Sequence, residues 1–201
     1  MTPPFRPSRK IGAAIFAVVF AVAGATVSGP GLTWDEPAYR GSQVLLQQWL
    51  TELATTRDPS LLSKDEIDHY WEFNRFGPNF HPPMGSYLNL ATFAVFGGWL
   101  DDIAARRLAA AAEFAGAATL LYFLIADWFG MLAGVSAAAL LATMPRLLGD
   151  AHVIGTDMPL LFFWLLTSLC FVRGLSSRAW QWAAGLAAGG LFLVKFSGVI
   201  L

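Results

Sequence analysis

The sequence predicts an all-α fold, a polytopic membrane helix bundle, and three observations carry that prediction. Hydrophobic residues make up 56% of the 201 positions and charged residues only 13%. The apolar residues are gathered into long runs, which a soluble domain of this size would struggle to hide. A short basic tail precedes the first run, the mark of an amino terminus that stays in the cytoplasm. With 13 basic and 14 acidic residues the net charge is −1, so no global field points to nucleic acid. The single cysteine, Cys170, lies within an apolar run, can form no intrachain disulfide and reads as a packing residue.

Taken in order, residues 1–10 form a Pro-rich tail carrying Arg6, Arg9 and Lys10. Residues 11–29 follow as a first transmembrane helix, roughly long enough to span a bilayer. A cleavable signal peptide is the alternative, since Ala23-Gly24-Ala25 resembles a small-residue cleavage site. Further apolar segments downstream favour the membrane helix. Residues 30–102 form an extracytoplasmic loop whose polar part, Leu32 to His81, interleaves charges (Arg75 among them) with Trp49, Tyr70, Trp71, Phe73, Phe76 and Phe80. Aromatics of this kind favour the headgroup layer. Val44, Leu45, Trp49, Leu50 and Leu53 have the spacing of a juxtamembrane amphipathic helix that breaks at Thr55 to Ser60. Residues 103–201 supply four further transmembrane helices, from about Ile103 to Ala126, Met131 to Met144, Pro159 to Val172 and Ala179 to Leu201. Several are rich in Ala and Gly, which permit close packing in lipid.

The segment Met84 to Leu100 decides the topology. It falls short of the roughly 20 residues a span needs and contains Ser86, Asn89, Gly97 and Gly98. If it lies in the outer leaflet without crossing, Asp35 and Asp157 end on one side; if it crosses, they end on opposite sides. The distribution of Arg and Lys between the two sides slightly favours crossing. Length, and the resemblance described next, favour the non-crossing arrangement.

The run Trp34-Asp35-Glu36-Pro37-Ala38-Tyr39 places two adjacent carboxylates at a membrane surface, where chemistry is a better explanation than anchoring. After it come His81-Pro82-Pro83-Met84 at the end of the loop, the pair Arg106-Arg107 opening a helix, Thr156-Asp157-Met158-Pro159-Leu160, and a glycine-bounded run from Gly190 to Gly198 centred on Lys195. In order and spacing these five motifs resemble glycosyltransferase family 39, the protein O-mannosyltransferase and aminoarabinose transferase group, over essentially all of the chain from Ile11. The resemblance implies the C-type membrane glycosyltransferase fold. It also implies transfer of a sugar, mannose or a related hexose, from a polyprenyl or dolichyl phosphate-linked donor to a protein or lipid acceptor hydroxyl on the extracytoplasmic side. The setting it implies is a bacterial inner membrane or its equivalent, with membrane lipids as the surroundings and neither cofactor nor metal. Enzymes of this fold are usually much longer, so the chain, which stops inside an apolar run, matches their amino-terminal part.

Physical chemistry gives each motif residue a role within that reading. A hydroxyl is a poor nucleophile at neutral pH, and a carboxylate in reach can take its proton as attack proceeds, the role expected of Asp35. Glu36 would orient the acceptor, or face away. An ordinary helix start, with Asp35 as cap and Pro37 in the first turn, fits the same residues. A departing lipid phosphate needs cations. Lys195, about 15 residues and roughly 22 Å into its span, is costly in the membrane unless partnered. Arg107, with Arg106 beside it, would hold the same phosphate or fix the carboxylates. Asp157 and His81 are expected at the acceptor and carrier site, His81 held by two prolines that force an extended entry. His152 stands where protein O-mannosyltransferases usually carry Arg, and Ser86 where they often carry Lys. The aminoarabinose branch prefers Lys at the position of His81. A neutral or titrating His152 holds a phosphate less firmly than Arg. Two other classes fit parts of the pattern: a transporter, with Lys195 and Arg107 lining a path, and a noncatalytic membrane subunit.

Overall fold

The computed structural model describes residues 5–72, 77 and 79–200. Phe73, Arg75 and Phe76, three of the loop's interleaved residues, lie outside the described residues, as do the first four residues of the tail and Leu201. Nine α-helices are found among the described residues: α1 (Arg9–Ala25), α2 (Glu36–Thr56), α3 (Lys64–Tyr70), α4 (Met84–Phe96), α5 (Asp102–Phe129), α6 (Met131–Ala142), α7 (Pro145–Asp150), α8 (Asp157–Gly174) and α9 (Arg178–Phe192). The fold is thus all-α, as the sequence predicts. Two helices, α5 and α8, are long and apolar enough to cross a membrane, with 28 and 18 residues. At 1.5 Å per residue they are about 42 Å and 27 Å long.

Helix α5 is the axis of the bundle, and α1, α4, α6 and α8 all pack on it. Its alanines at 104, 105, 109, 110, 111, 115, 117 and 118 are buried, and these short side chains let the neighbouring backbones approach closely. Phe114 and Tyr122 fill the remaining space and are fully enclosed. The helix starts cleanly because the Asp101 carboxylate accepts from the Ala104 N–H at 2.9 Å, and it ends at Gly130, whose φ of +88° turns the chain into α6.

Helices α5, α6, α8 and α9 alternate in direction, with the short α7 between α6 and α8, so the bundle has two distinct ends. At one end Ser8 pairs with the Tyr122 hydroxyl and Arg173 with Asp127, the latter Nε–Oδ2 contact being 2.9 Å. Residues 27–36, 81–84, 102–107, 152–157 and 193–195 converge at the other. There the Ile154 N–H donates to the Glu36 carboxylate, and the Met84 N–H donates to the Leu193 carbonyl. The starts of α2 and α8 therefore share one end. Helix α4 has only 13 residues, about 20 Å, and lies along α5 at that end, with Asn89 donating to the Arg106 carbonyl.

One sequence expectation changes in detail. The last apolar run does not continue as helix to Leu201: α9 stops at Phe192, a turn follows, and residues 196–200 form a 3₁₀ segment. The Val194 and Lys195 N–H groups both turn back to the Leu191 carbonyl, so Lys195 sits just beyond the helix rather than within it. Helix α2 forms and ends at Thr56; Ser42, Gln43 and Leu46 are its most enclosed residues beyond the first turn, and Leu50 of the expected apolar stripe is exposed. The inward polar residues have partners. Gln43 donates to Asn89 and accepts from Arg106, and Ser42 accepts from Asn79.

Glycine 134 of α6 lies where an added Cβ would stand 2.7 Å from both the Tyr122 carbonyl oxygen and the Ala126 Cβ of α5, atoms of a packed helix that cannot yield. Gly134→Ala should lower stability by about 1–3 kcal/mol. Gly185→Ala, where a Cβ meets nothing within 4 Å, should be neutral or gain up to about 1 kcal/mol. Thermal unfolding of both variants in one detergent checks the contrast.

Candidate functional site

The convergent end contains two layers, a buried ionic one and an exposed one above it. In the buried layer Arg107 of α5 reaches across to Glu36, the first residue of α2. Arg107 Nε and Nη2 each lie 2.7 Å from a different Glu36 oxygen. The rest of the guanidinium is spent on the chain after α1: Nη1 donates to the Val27 and Pro30 carbonyls and Nη2 to Gly31, each at 2.9 Å. Glu36 accepts in addition from the N–H groups of Thr33 at 2.9 Å and Ile154 at 3.0 Å. Both side chains are enclosed, at 2% and 0% exposure. Burial opposes ionisation of Glu36, but the guanidinium and the two backbone donors outweigh it and hold its carboxyl below the usual carboxylate range.

These contacts use all five N–H donors of Arg107. Of the two roles the sequence leaves open to it, holding a phosphate or fixing a carboxylate, its geometry fills the second. Glu36 correspondingly faces the protein interior and not an acceptor. Arg106 is also enclosed: its guanidinium pairs with Asp102 at 3.2 Å, donates to Gln43 at 3.1 Å and lies 4.2 Å from the centre of the Phe93 ring. Asp102 is shared with Arg40 of α2. His152 is buried beside the end of α1, with Nδ1 2.6 Å from the Leu148 carbonyl and Nε2 2.7 Å from the Thr26 hydroxyl. Leu148 can only accept, so Nδ1 carries the proton.

The exposed layer holds Asp35, Tyr39, His81, Asp157 and Lys195, with the buried Thr156 beneath them. Asp35 occupies the cap position of α2 yet does not cap it, because its backbone is helical (φ −89°, ψ −21°), and its carboxylate takes no hydrogen bond from any described residue. One helical turn on, the Tyr39 hydroxyl lies 3.1 Å from His81 Nε2. Burial raises the Tyr39 pKa, a hydrogen bond with Thr156 opposes that, and the Asp35 and Asp157 carboxylates add to the rise. Burial and the Lys195 ammonium lower the His81 pKa, against the pull of Asp157 and Asp35. Both lowering effects favour the neutral imidazole. Lys195 Nζ lies 3.1 Å from Asp157 Oδ1, and both remain partly exposed.

Local structure explains why these side chains meet. The Asn79 side chain accepts from the His81 N–H at 2.9 Å while donating to Ser42, and Phe80 packs on the imidazole with ring centres 4.3 Å apart. The hydrogen bond from Met84 to Leu193 brings the turn carrying Lys195 against the Pro82-Pro83 corner. Asp157 opens α8, where a negative charge suits the helix amino terminus. Of the residues singled out in the sequence, Asp35, His81, Asp157 and Lys195 share this layer, whereas Glu36, Arg106, Arg107 and His152 lie beneath it. Sequence reasoning missed Tyr39 and Thr156. The spacing of four from Asp35 to Tyr39 on one helix face is the signal that could have found the first.

The family model for dolichyl-phosphate-mannose-protein mannosyltransferases matches residues 80–201, more than half of the chain. The chain belongs to this family. It is a membrane glycosyltransferase of mannosyltransferase type, with the all-α membrane bundle of C-type glycosyltransferases. The match contains His81, Arg106, Arg107, His152, Asp157 and Lys195 and begins after Asp35, Glu36 and Tyr39. No curated protein and no solved structure matches this mannosyltransferase-family chain.

Glu36→Ala would leave the Arg107 charge buried without a counter-charge and should destabilise the fold by about 3–5 kcal/mol. Because the Glu36 carboxyl is held below its ordinary value of 4.5, its contribution is complete above that pH and is lost as pH falls through the lower folded value. Unfolding midpoints measured from neutral to acidic pH should decline in the wild type. Glu36→Gln should be less stable at neutral pH and lack that part of the decline.

Proposed function

We propose that this chain transfers a sugar, mannose or a related hexose, from a polyprenyl phosphate carrier to an acceptor hydroxyl, with Asp35 as general base. The observation that carries the reading is the pairing, in one layer, of a carboxylate that takes no hydrogen bond from any described residue and a lysine whose counter-ion among the described residues, Asp157, is exposed. The exposed layer faces the extracytoplasmic side. In support, Arg6, Arg9, Lys10, Arg173 and Arg178 all belong to the opposite end, where positive charge marks the cytoplasmic face. Helix α4 lies in the outer leaflet without crossing, α1 and α9 cross with α5 and α8, and α6 and α7 together carry the chain back to the site end.

The reaction proceeds by attack of the acceptor oxygen on the anomeric carbon. The bond from that carbon to the phosphate oxygen breaks, the electron pair leaves with the polyprenyl phosphate, and the acceptor proton passes to Asp35. Lys195 leaves Asp157 to meet the phosphate and stabilises the charge growing on it. Asp157, so released, accepts a hydrogen bond from the bound sugar or acceptor. Neutral His81 and Tyr39 form a polar wall that fixes the orientation of the sugar hydroxyls. Glu36, Arg107, Arg106 and His152 act as positioning residues, through the backbone that they hold. Thr33, which binds Glu36, and Asp35 lie on the same tight turn, so the buried pair fixes where the base stands.

Full-length protein in membranes, supplied with radiolabelled polyprenyl phosphate mannose and an acceptor, tests the assignment. Asp35→Asn should reduce transfer by roughly 10²–10⁴-fold with the unfolding midpoint unchanged. Lys195→Ala should raise KM for the donor and also lower kcat. Undiminished transfer in Asp35→Asn would remove the base assignment.

A further inference from the structure

The end of the bundle away from the candidate site carries a cleft of about 790 Å³ between the amino-terminal tail, the end of α5 and the turn from α8 to α9. Arg6, Arg9 and Arg173 line it together with Ser176, Ser177 and Trp180. Asp127 supplies one carboxylate, already engaged by Arg173 Nε. The Arg6 and Arg9 side chains make no hydrogen bond or ion pair with any described residue, and the two terminal nitrogens of Arg173 have no acceptor among them. Three guanidiniums therefore face one satisfied carboxylate. Arg173 cannot swing away to solvent, since Asp127 holds it and its guanidinium lies 5.0 Å from the Trp180 ring centre and 5.7 Å from that of Phe123. The cleft is a fixed cation with two adjustable ones at its rim.

Its surroundings give the ligand class. The cleft lies at the level where α5 and α8, the two helices able to span a membrane, both end. Phe129 is 72% exposed and Trp182 76% exposed at that level, the kind of side chains that settle among headgroups. We infer that this cleft binds the phosphodiester headgroup of an anionic phospholipid in the leaflet opposite the candidate site, with Arg6, Arg9 and Arg173 on the phosphate and the serine hydroxyls on the headgroup. The inference needs only that α5 and α8 cross the membrane, and is independent of the sugar-transfer chemistry.

The test uses the full chain, purified in an uncharged detergent and titrated with dioctanoyl phosphatidylglycerol, dioctanoyl phosphatidylcholine or inorganic phosphate, with bound ligand counted by native mass spectrometry. Phosphatidylglycerol should bind saturably and far more tightly than the other two. Arg6→Gln combined with Arg9→Gln should weaken it by roughly 30-fold, from the loss of two cations near a phosphate. Both arginines are exposed, so the unfolding midpoint without lipid should be unchanged, and that measurement separates lost binding from lost fold. Equal binding by the double variant, or equal binding of phosphatidylcholine, would overturn the assignment. Inorganic phosphate binding as tightly as phosphatidylglycerol would make the cleft a site for soluble anions and overturn the lipid.

Discussion

A single guanidinium organises the candidate site. Arg107 could not be buried on α5 without an acceptor for each of its five N–H groups, and meeting that demand draws in three separate stretches of chain. The carbonyls of Val27, Pro30 and Gly31 fix how the chain leaves α1, Glu36 fixes where α2 begins, and through Glu36 the Ile154 amide fixes the approach to α8. Nothing in this knot touches the exposed layer directly. It sets instead the backbone from which Asp35 and, three residues beyond Ile154, Asp157 project.

The two adjacent acids of the Trp-Asp-Glu motif thus acquire opposite environments from one helix start. Successive residues on a helix point about 100° apart, so when Glu36 turns into the bundle Asp35 points a different way, here out to solvent. Burial then does the sorting. Glu36 is kept ionised by fixed donors, and Asp35 is left to solvent with no fixed partner among the described residues. The same logic separates Arg106 from Arg107: one turns toward Gln43 and Phe93, the other toward Glu36.

Much of this was legible in the sequence because the signals were local. The apolar run from about Ile103 to Ala126 gives α5, and the break near Thr55 gives the end of α2. The shared environment of His81, Asp157 and Lys195 was reached through the order of motifs, since no local rule links residues so far apart. Orientation was harder. A pair such as Asp35-Glu36 or Arg106-Arg107 carries no mark of which member faces inward until the partners on other helices are known. The stop of α9 at Phe192 was hidden for a related reason, because the residues beyond it are as apolar as those before, and the bend comes from hydrogen bonds to Leu191 and from Met84 to Leu193.

The backbone bond between Met84 and Leu193 joins positions more than a hundred residues apart, which gives the candidate site a place in time as well as in space. As the chain emerges from the ribosome, the carboxylate of Asp35 and the imidazole of His81 appear early, while the turn bearing Lys195 arrives only after α9 has been made. The scaffold of α1, α2 and α5 can settle first, and closure by Ile154 follows. The cationic part of the exposed layer is the last to form, so the growing chain carries an incomplete centre until nearly all of its described helices are in place.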